Sequence, residues 1–290
     1  TTFVTVKPEP PFFLMEPVDT KSKTEYESGL HLLQLFKVNS TGIRTLRDDF
    51  VVDFEEKPII NRVSRFRDSE ASDNDLCAEL ELEMPGWWNV AKSRQSIRRE
   101  SDLKQFMRPF SYRPFDVRWL FYHDSLVGSP RRPIMQHMEP RSKNLAIHIC
   151  WQLSSPTWQH VFITRGLTDD CYVSNRTKER GYTLPLCLTS VAGALGLADI
   201  GTNCNLELFK NKLPHEFREV SDTTVLYYVY CILFSPSYRC RYLDFLKRDF
   251  PILPLTNSFE LFHSLAKLGS ELVALHLLES PKVNDFITRF

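Results

Sequence analysis

Between Phe110 and His137 the chain interleaves cations with rings. The stretch Tyr112-Arg-Pro-Phe-Asp-Val-Arg-Trp-Leu-Phe-Tyr122 continues into Ser129-Pro-Arg-Arg-Pro-Ile-Met-Gln-His137, setting Arg113, Arg118, Arg131 and Arg132 among Phe110, Tyr112, Phe115, Trp119, Phe121 and Tyr122. A guanidinium offers its donors in a fixed fork, which suits phosphate oxygens or the edge of a base. The same pattern suits a buried strand whose arginines carry their charged heads out to water. Residue types alone leave both readings standing.

A second polar inventory lies between residues 163 and 182, where Thr164, Arg165, Ser174, Asn175, Arg176, Lys178 and Arg180 crowd together between apolar runs. Rigid scaffolds often place function on loops of this kind. A plain solvated connection fits the composition equally well.

Strands must position both groups. The aromatic and branched run 116–122 favours a strand, with Arg118, Leu120 and Tyr122 on one face and Val117, Trp119 and Phe121 on the other. Pro114 holds Arg113 extended, and Pro130 and Pro133 stiffen the loop carrying Arg131 and Arg132. Further strands are expected over 50–54, 144–151, 158–164 and 182–188. A capping-box pattern at Thr24 predicts a helix with Tyr26, Leu30, Leu33 and Phe36 on one face. Pro58 can open a helix bearing Ile59, Ile60, Val63 and Phe66, and a helical region is expected over 88–103. Beyond about residue 201 helices dominate: 222–234, another capped by Ser235-Pro236, and 258–279 with Leu261, Leu265, Leu268 and Leu272 as a core stripe. The expected organisation is a proline-rich extended connector over 1–20, a mixed α+β lobe over 21–200 and a helical subdomain over 201–290.

With 42% hydrophobic residues and 21 phenylalanines in 290, the chain can fill a core and is not of disordered composition. No apolar run reaches the length of a membrane span, and the start carries no signal-peptide pattern. Beginning at Thr-Thr-Phe suggests a piece of a longer polypeptide. Seven cysteines without a Cys-x-x-Cys pair read as free thiols of a reducing cytosol. The net charge of zero hides a split: residues 46–85 carry 12 acids and 5 bases, whereas 92–132 carry 10 bases and 4 acids. That asymmetry is compatible with one basic face or with ordinary solvated surface.

Catalytic constellations are missing from the sequence. It has no dinucleotide or phosphate-binding glycine loop, no Gly-x-Ser-x-Gly, no metal-ligand histidine spacing and no Asn-Pro-Pro-Tyr. Asp102-Leu-Lys104 lacks the upstream acid that a nuclease would need. The positive case is for binding.

Several segments in order resemble the C-terminal part of type ISP restriction–modification enzymes and related adenine methyltransferases. They are 36–50 with Thr41-Gly-Ile-Arg-Thr45 and Arg47-Asp-Asp-Phe50, Ser111 to Tyr122, Pro130 to Met138, Tyr182-Thr-Leu-Pro-Leu186, 227–251 and Leu268 to Leu277. The resemblance implies a target recognition domain following a methyltransferase: an α+β DNA-recognition lobe, then a helical subdomain. It also implies a cytoplasmic parent using S-adenosylmethionine, ATP and Mg, with the motifs for that chemistry upstream of this chain. No catalytic residue, metal ligand or cofactor site carries over to this part. Residues 189–221 depart from the family pattern by being short and irregular.

The expected partners are therefore double-stranded DNA and the methyltransferase domain of the same parent chain, with no membrane. Phosphate contacts are expected from the basic segment, Arg113, Arg118, Arg131 and Arg132 included. Base contacts are expected from the 164–180 loop: Thr164, Arg165, Ser174 and, foremost, Asn175, Arg176, Lys178 and Arg180. The alternatives are a structural coupler that packs on the methyltransferase without reading sequence, or an RNA-binding module built on exposed rings.

Overall fold

The computed structural model describes residues 20–153, 155–173, 179–189 and 200–288. The expected connector lies outside them except at its end. Strands run in the order β1 (Leu30–His31), β2 (Ser40–Thr41), β3 (Val52–Asp53), β4 (Met107–Arg113), β5 (Asp116–Phe121), β6 (Ala146–Cys150), β7 (Val161–Thr164), β8 (Leu167–Thr168), β9 (Gly181–Pro185), β10 (Cys187–Thr189), β11 (Ile200–Thr202) and β12 (Ile252–Leu253). Two four-stranded sheets form, ordered β3-β5-β4-β8 and β2-β9-β6-β7, beside the pairs β1-β12 and β10-β11. With the helices around them, they make the mixed α+β fold that the sequence predicts.

The arginine-rich stretch is the β4–β5 hairpin, paired antiparallel with an irregularity between Ser111 and Arg113. Its tip turns through Phe115 at φ 64°, a left-handed conformation that branched or bulky residues seldom adopt. Burial on β5 follows distance from the tip more than strand face. Val117 and Arg118 are exposed or half-exposed, while Leu120 and Phe121 are fully buried.

Two apolar cores result. Helices Glu56–Asp68, Asp73–Glu79 and Val90–Arg98 pack Ile59, Val63, Phe66, Leu76 and Ile97 with Phe110, Leu120 and Phe121 of the hairpin sheet. The other core joins Ile147, Ile149, Val161 and Leu184 of the second sheet to Val225, Tyr228, Val229, Phe262 and Val273 of the C-terminal helices. The two cores therefore part along a line other than residue 200. Among the described residues no helix is long and apolar enough to cross a membrane.

Several elements differ from expectation. The predicted 24–36 helix is interrupted: Thr20–Glu27 is followed by β1 and a one-turn helix, Leu32–Leu35. Tyr26, Leu30 and Phe36 still reach the same core. The predicted 50–54 strand is a helical turn, Asp48–Val51, leading into β3. Helix Phe259–His276 brings only half of its leucine stripe to the core, where Leu265 and Leu272 pack half-buried. Leu261 and Leu268 are 49% and 53% exposed, and the buried face is Phe262, Ala266, Gly269 and Val273. The reason is the small residue at 269: a Cβ there would collide with the Tyr227 carbonyl, so the helix backbones approach closest along that line.

Candidate nucleic-acid interface

The polar segment after β7 is not one open loop. After a turn at Arg165-Gly166 the chain leaves the second sheet, and β8 joins the hairpin sheet parallel to β4. Main-chain hydrogen bonds then knit three distant segments together. Ile43 N donates to Thr168 O at 2.7 Å, Asp170 N to Ile43 O at 2.7 Å, Gly42 N to Gly181 O at 3.1 Å and Gly181 N to Asp170 O at 3.0 Å. Gly42 permits this approach, because a Cβ there would overlap the Asp169 carbonyl. Arg44 exchanges backbone hydrogen bonds with Ser129, at 3.1 and 2.8 Å, bringing in the loop that carries Arg131 and Arg132.

Two nearly buried carboxylates sit at this junction, Asp169 at 6% and Asp170 at 3% exposure. Arg113 Nη1 lies 3.0 Å from Asp169 Oδ1. Arg44 Nε and Arg180 Nε lie 3.1 and 3.7 Å from Asp170 Oδ2. Burial pushes the Asp169 carboxyl up to about 6 even though Arg113 pulls the other way. Desolvation therefore outweighs the ion pair at that site. Behind them a buried chain of hydroxyls runs from Thr168 to Thr183 at 2.6 Å and on to His148 Nδ1 at 3.1 Å. His148 is wholly enclosed, and burial lowers its imidazole to about 3.

The hairpin arginines form a stack. Arg118 Cζ lies 4.3 Å from the Phe54 ring centre and 4.1 Å from that of Tyr112, whose ring also carries Arg113 at 4.0 Å. The Tyr112 hydroxyl donates to Asp48 Oδ2 at 2.8 Å. Arg118 is bound through Nε and Nη2 to Asp116. Arg132 pairs with Asp124 at 2.8 Å and stacks on Tyr122 at 3.8 Å. Arg131 differs from its neighbour: its backbone is left-handed at φ 54°, and its Nε is buried without a hydrogen-bond partner among the described residues.

The remaining expected contacts are scattered. Thr164 is 2% exposed, with its hydroxyl 3.0 Å from Ser111 Oγ. Arg165 grips Glu279 through Nε and Nη2 and donates from Nη1 to the Lys143 carbonyl. Arg180 is exposed at the junction. Ser174, Asn175, Arg176 and Lys178 lie outside the described residues. Elsewhere in the basic segment, Arg94 is buried on Asp73 and on backbone carbonyls, and Arg108 pairs with Glu139. Lys92, Arg99 and Lys104 face solvent. Sequence reasoning passed over Arg44 and the Asp169-Asp170 pair. The one available signal was two adjacent acids inside a segment otherwise rich in bases.

The model of one protein family, described as the type ISP C-terminal specificity domain, matches residues 34–290. No curated protein matches. Among solved structures, the cryo-EM structure of a DrdV–DNA complex is similar at TM-score 0.64 and 24% identity, over 84% of this chain and 23% of that one. A nuclease-deletion mutant of the type ISP restriction–modification enzyme LlaGI, in complex with a DNA substrate mimic, gives TM-score 0.64 and 22% identity over 93% and 24%. The ATP-dependent type ISP enzyme LlaBIII bound to DNA gives 0.64 and 19% over 91% and 17%. At these identities the likeness is one of fold, and the chain spans a quarter or less of each of those proteins.

Proposed function

The chain belongs to the type ISP C-terminal specificity domains, and from that premise we propose that it reads a specific sequence in double-stranded DNA for a larger restriction–modification enzyme. In this reading the parent supplies the adenine-N6 methyltransferase, with S-adenosylmethionine, ATP and Mg used in its other modules. This chain contributes recognition and no catalytic group, and its intrachain partner is the methyltransferase domain. The family match over nearly the whole chain is the observation that carries the reading. The site supports it: exposed guanidinium groups are anchored where the two sheets meet, on a backbone held by cross-segment hydrogen bonds. Within the 164–180 segment, Asn175, Arg176, Lys178 and Arg180 are proposed as the base contacts. Arg131 and the exposed Lys92, Arg99 and Lys104 are proposed as phosphate contacts.

The coupler reading draws on a different observation. Arg113, Arg118, Arg132 and Arg165 are each already paired with a carboxylate of the same chain. One experiment decides between the two: selection from a pool of randomised duplexes by the purified chain at fixed salt. Enrichment of a single motif is expected, with Asn175→Ala and Arg176→Ala each lowering affinity for it by about 1–3 kcal/mol. Binding without any enriched motif would leave only the coupler.

A further inference from the structure

One buried carboxylate holds two arginines by the same end. Asp170 Oδ2 takes Nε of Arg44 at 3.1 Å and Nε of Arg180 at 3.7 Å, and the Asp170 side chain is almost wholly enclosed. Its other oxygen, Oδ1, is buried with no hydrogen-bond partner among the described residues. A buried anion left uncompensated is costly, so both guanidinium groups are drawn to it. Arg44 donates to that oxygen through Nε, whereas Arg180, with its Nε at 3.7 Å, pairs with it by charge. No terminal nitrogen of Arg44 or Arg180 has a bonding partner among the described residues, while 37% and 49% of the two side chains remain exposed. Arg113, Arg118, Arg132 and Arg165, also paired with acids, differ: each commits at least one terminal nitrogen within the chain.

A free pair of terminal nitrogens on a guanidinium whose Nε is fixed is a pre-aimed fork. It matches two acceptor atoms side by side. The backbone of Arg44 is held in both directions by Ser129, so the fork also loses little freedom on binding. Resting on the DNA-reading function above, the geometry points to Arg44 and Arg180 as a two-armed clamp for paired acceptors on duplex DNA, with Asp170 as its positioning residue. The acceptors are either two oxygens of a phosphate or O6 and N7 of a guanine, which share this chemistry.

The test uses the full chain and two probes: the duplex enriched by selection and a scrambled duplex of equal length. Arg44→Lys and Arg180→Lys keep the charge that Asp170 needs but remove the fork, so folding is preserved. Losses on the order of 10- to 100-fold confined to the enriched duplex assign the clamp to guanine. If lysine is tolerated while Arg44→Ala weakens both duplexes equally and lowers the salt slope by about 1, the clamp holds a phosphate. Asp170→Asn should weaken binding in the parent and have no further effect in the Arg44→Ala/Arg180→Ala double variant, a coupling that a purely structural role would not produce. If the lysine and alanine variants at both positions bind both duplexes as the parent does, the clamp is wrong while DNA reading stands. If the parent enriches no motif and binds no duplex, the failure is that of the underlying function.

Discussion

The imidazole of His148 fills the space that a side chain on Gly181 would need. The two residues lie on the neighbouring strands β6 and β9, and a Cβ on Gly181 would come within 1.7 Å of His148 Nε2. The clash is with an enclosed side chain that has no room to swing away, since Tyr172 packs against it edge-on at 4.9 Å. Gly181→Ala should therefore destabilise the chain by about 3 kcal/mol, the upper range for overpacking. Adding His148→Ala should recover part of that loss. Urea midpoints of the single and double variants check this, and a Gly181→Ala chain with the parent's midpoint would contradict the packing described.

The same histidine fixes a sign for acid stability. Its folded value, about 3, lies below the unfolded 6.5, so the unfolded chain binds the extra proton between them. The stability it contributes is complete above pH 6.5 and is lost progressively toward pH 3. Burial lowers His31, His123, His137, His160 and His276 in the same direction. Asp169 acts oppositely: raised from 3.8 to about 6, it makes the folded state gain stability as pH falls through that window. Asp169→Asn should thus steepen the acid loss below pH 6, and His148→Leu should flatten it, by up to about 1.4 kcal/mol per pH unit each. Denaturant titrations at pH 7.5, 6 and 5 read the slopes, and unchanged slopes in both variants would refute the assignment.

Helix Phe259–His276 offers a test of register. Leu261→Gln and Leu268→Gln alter exposed positions and should change stability by less than about 0.5 kcal/mol. Phe262→Ala removes a ring packed against Phe209, Phe217 and Tyr228 and should cost about 3–5 kcal/mol. A leucine variant costing as much as Phe262→Ala would put the leucine stripe back in the core.

What was legible in the sequence depended on range. Strand β5 and helix Asp222–Phe234 could be read because their residue types and period are local. The leucine stripe misled because apolar counting gives no weight to Gly269, the residue that lets the helix backbones meet. β8 was invisible: it has two residues and pairs in parallel with a strand more than fifty positions earlier. At the site, arginine-rich composition pointed to the hairpin, but the carboxylates that hold Arg113 and Arg44 are 56 and 126 positions away. Periodicity carries no information about such pairings.

Arg131 and Arg132 are adjacent in sequence, yet the structure separates their roles. Arg132 is satisfied within the chain by Asp124, the Tyr122 carbonyl and the Tyr122 ring. Its loss in Arg132→Ala should cost about 1 kcal/mol of stability and leave the salt dependence of DNA binding unchanged. Arg131 has no partner among the described residues for its buried Nε and sits in a left-handed conformation that costs a non-glycine residue about 1 kcal/mol. Replacing it by glycine should relieve that strain and remove the cation together. Arg131→Gly is therefore expected to raise the urea midpoint while weakening selected and scrambled duplexes alike, with the salt slope falling by about 1. The two readouts move in opposite directions, which a general loss of structure cannot imitate. If Arg132→Ala lowers the slope and Arg131→Gly does not, the phosphate contact belongs to the wrong neighbour.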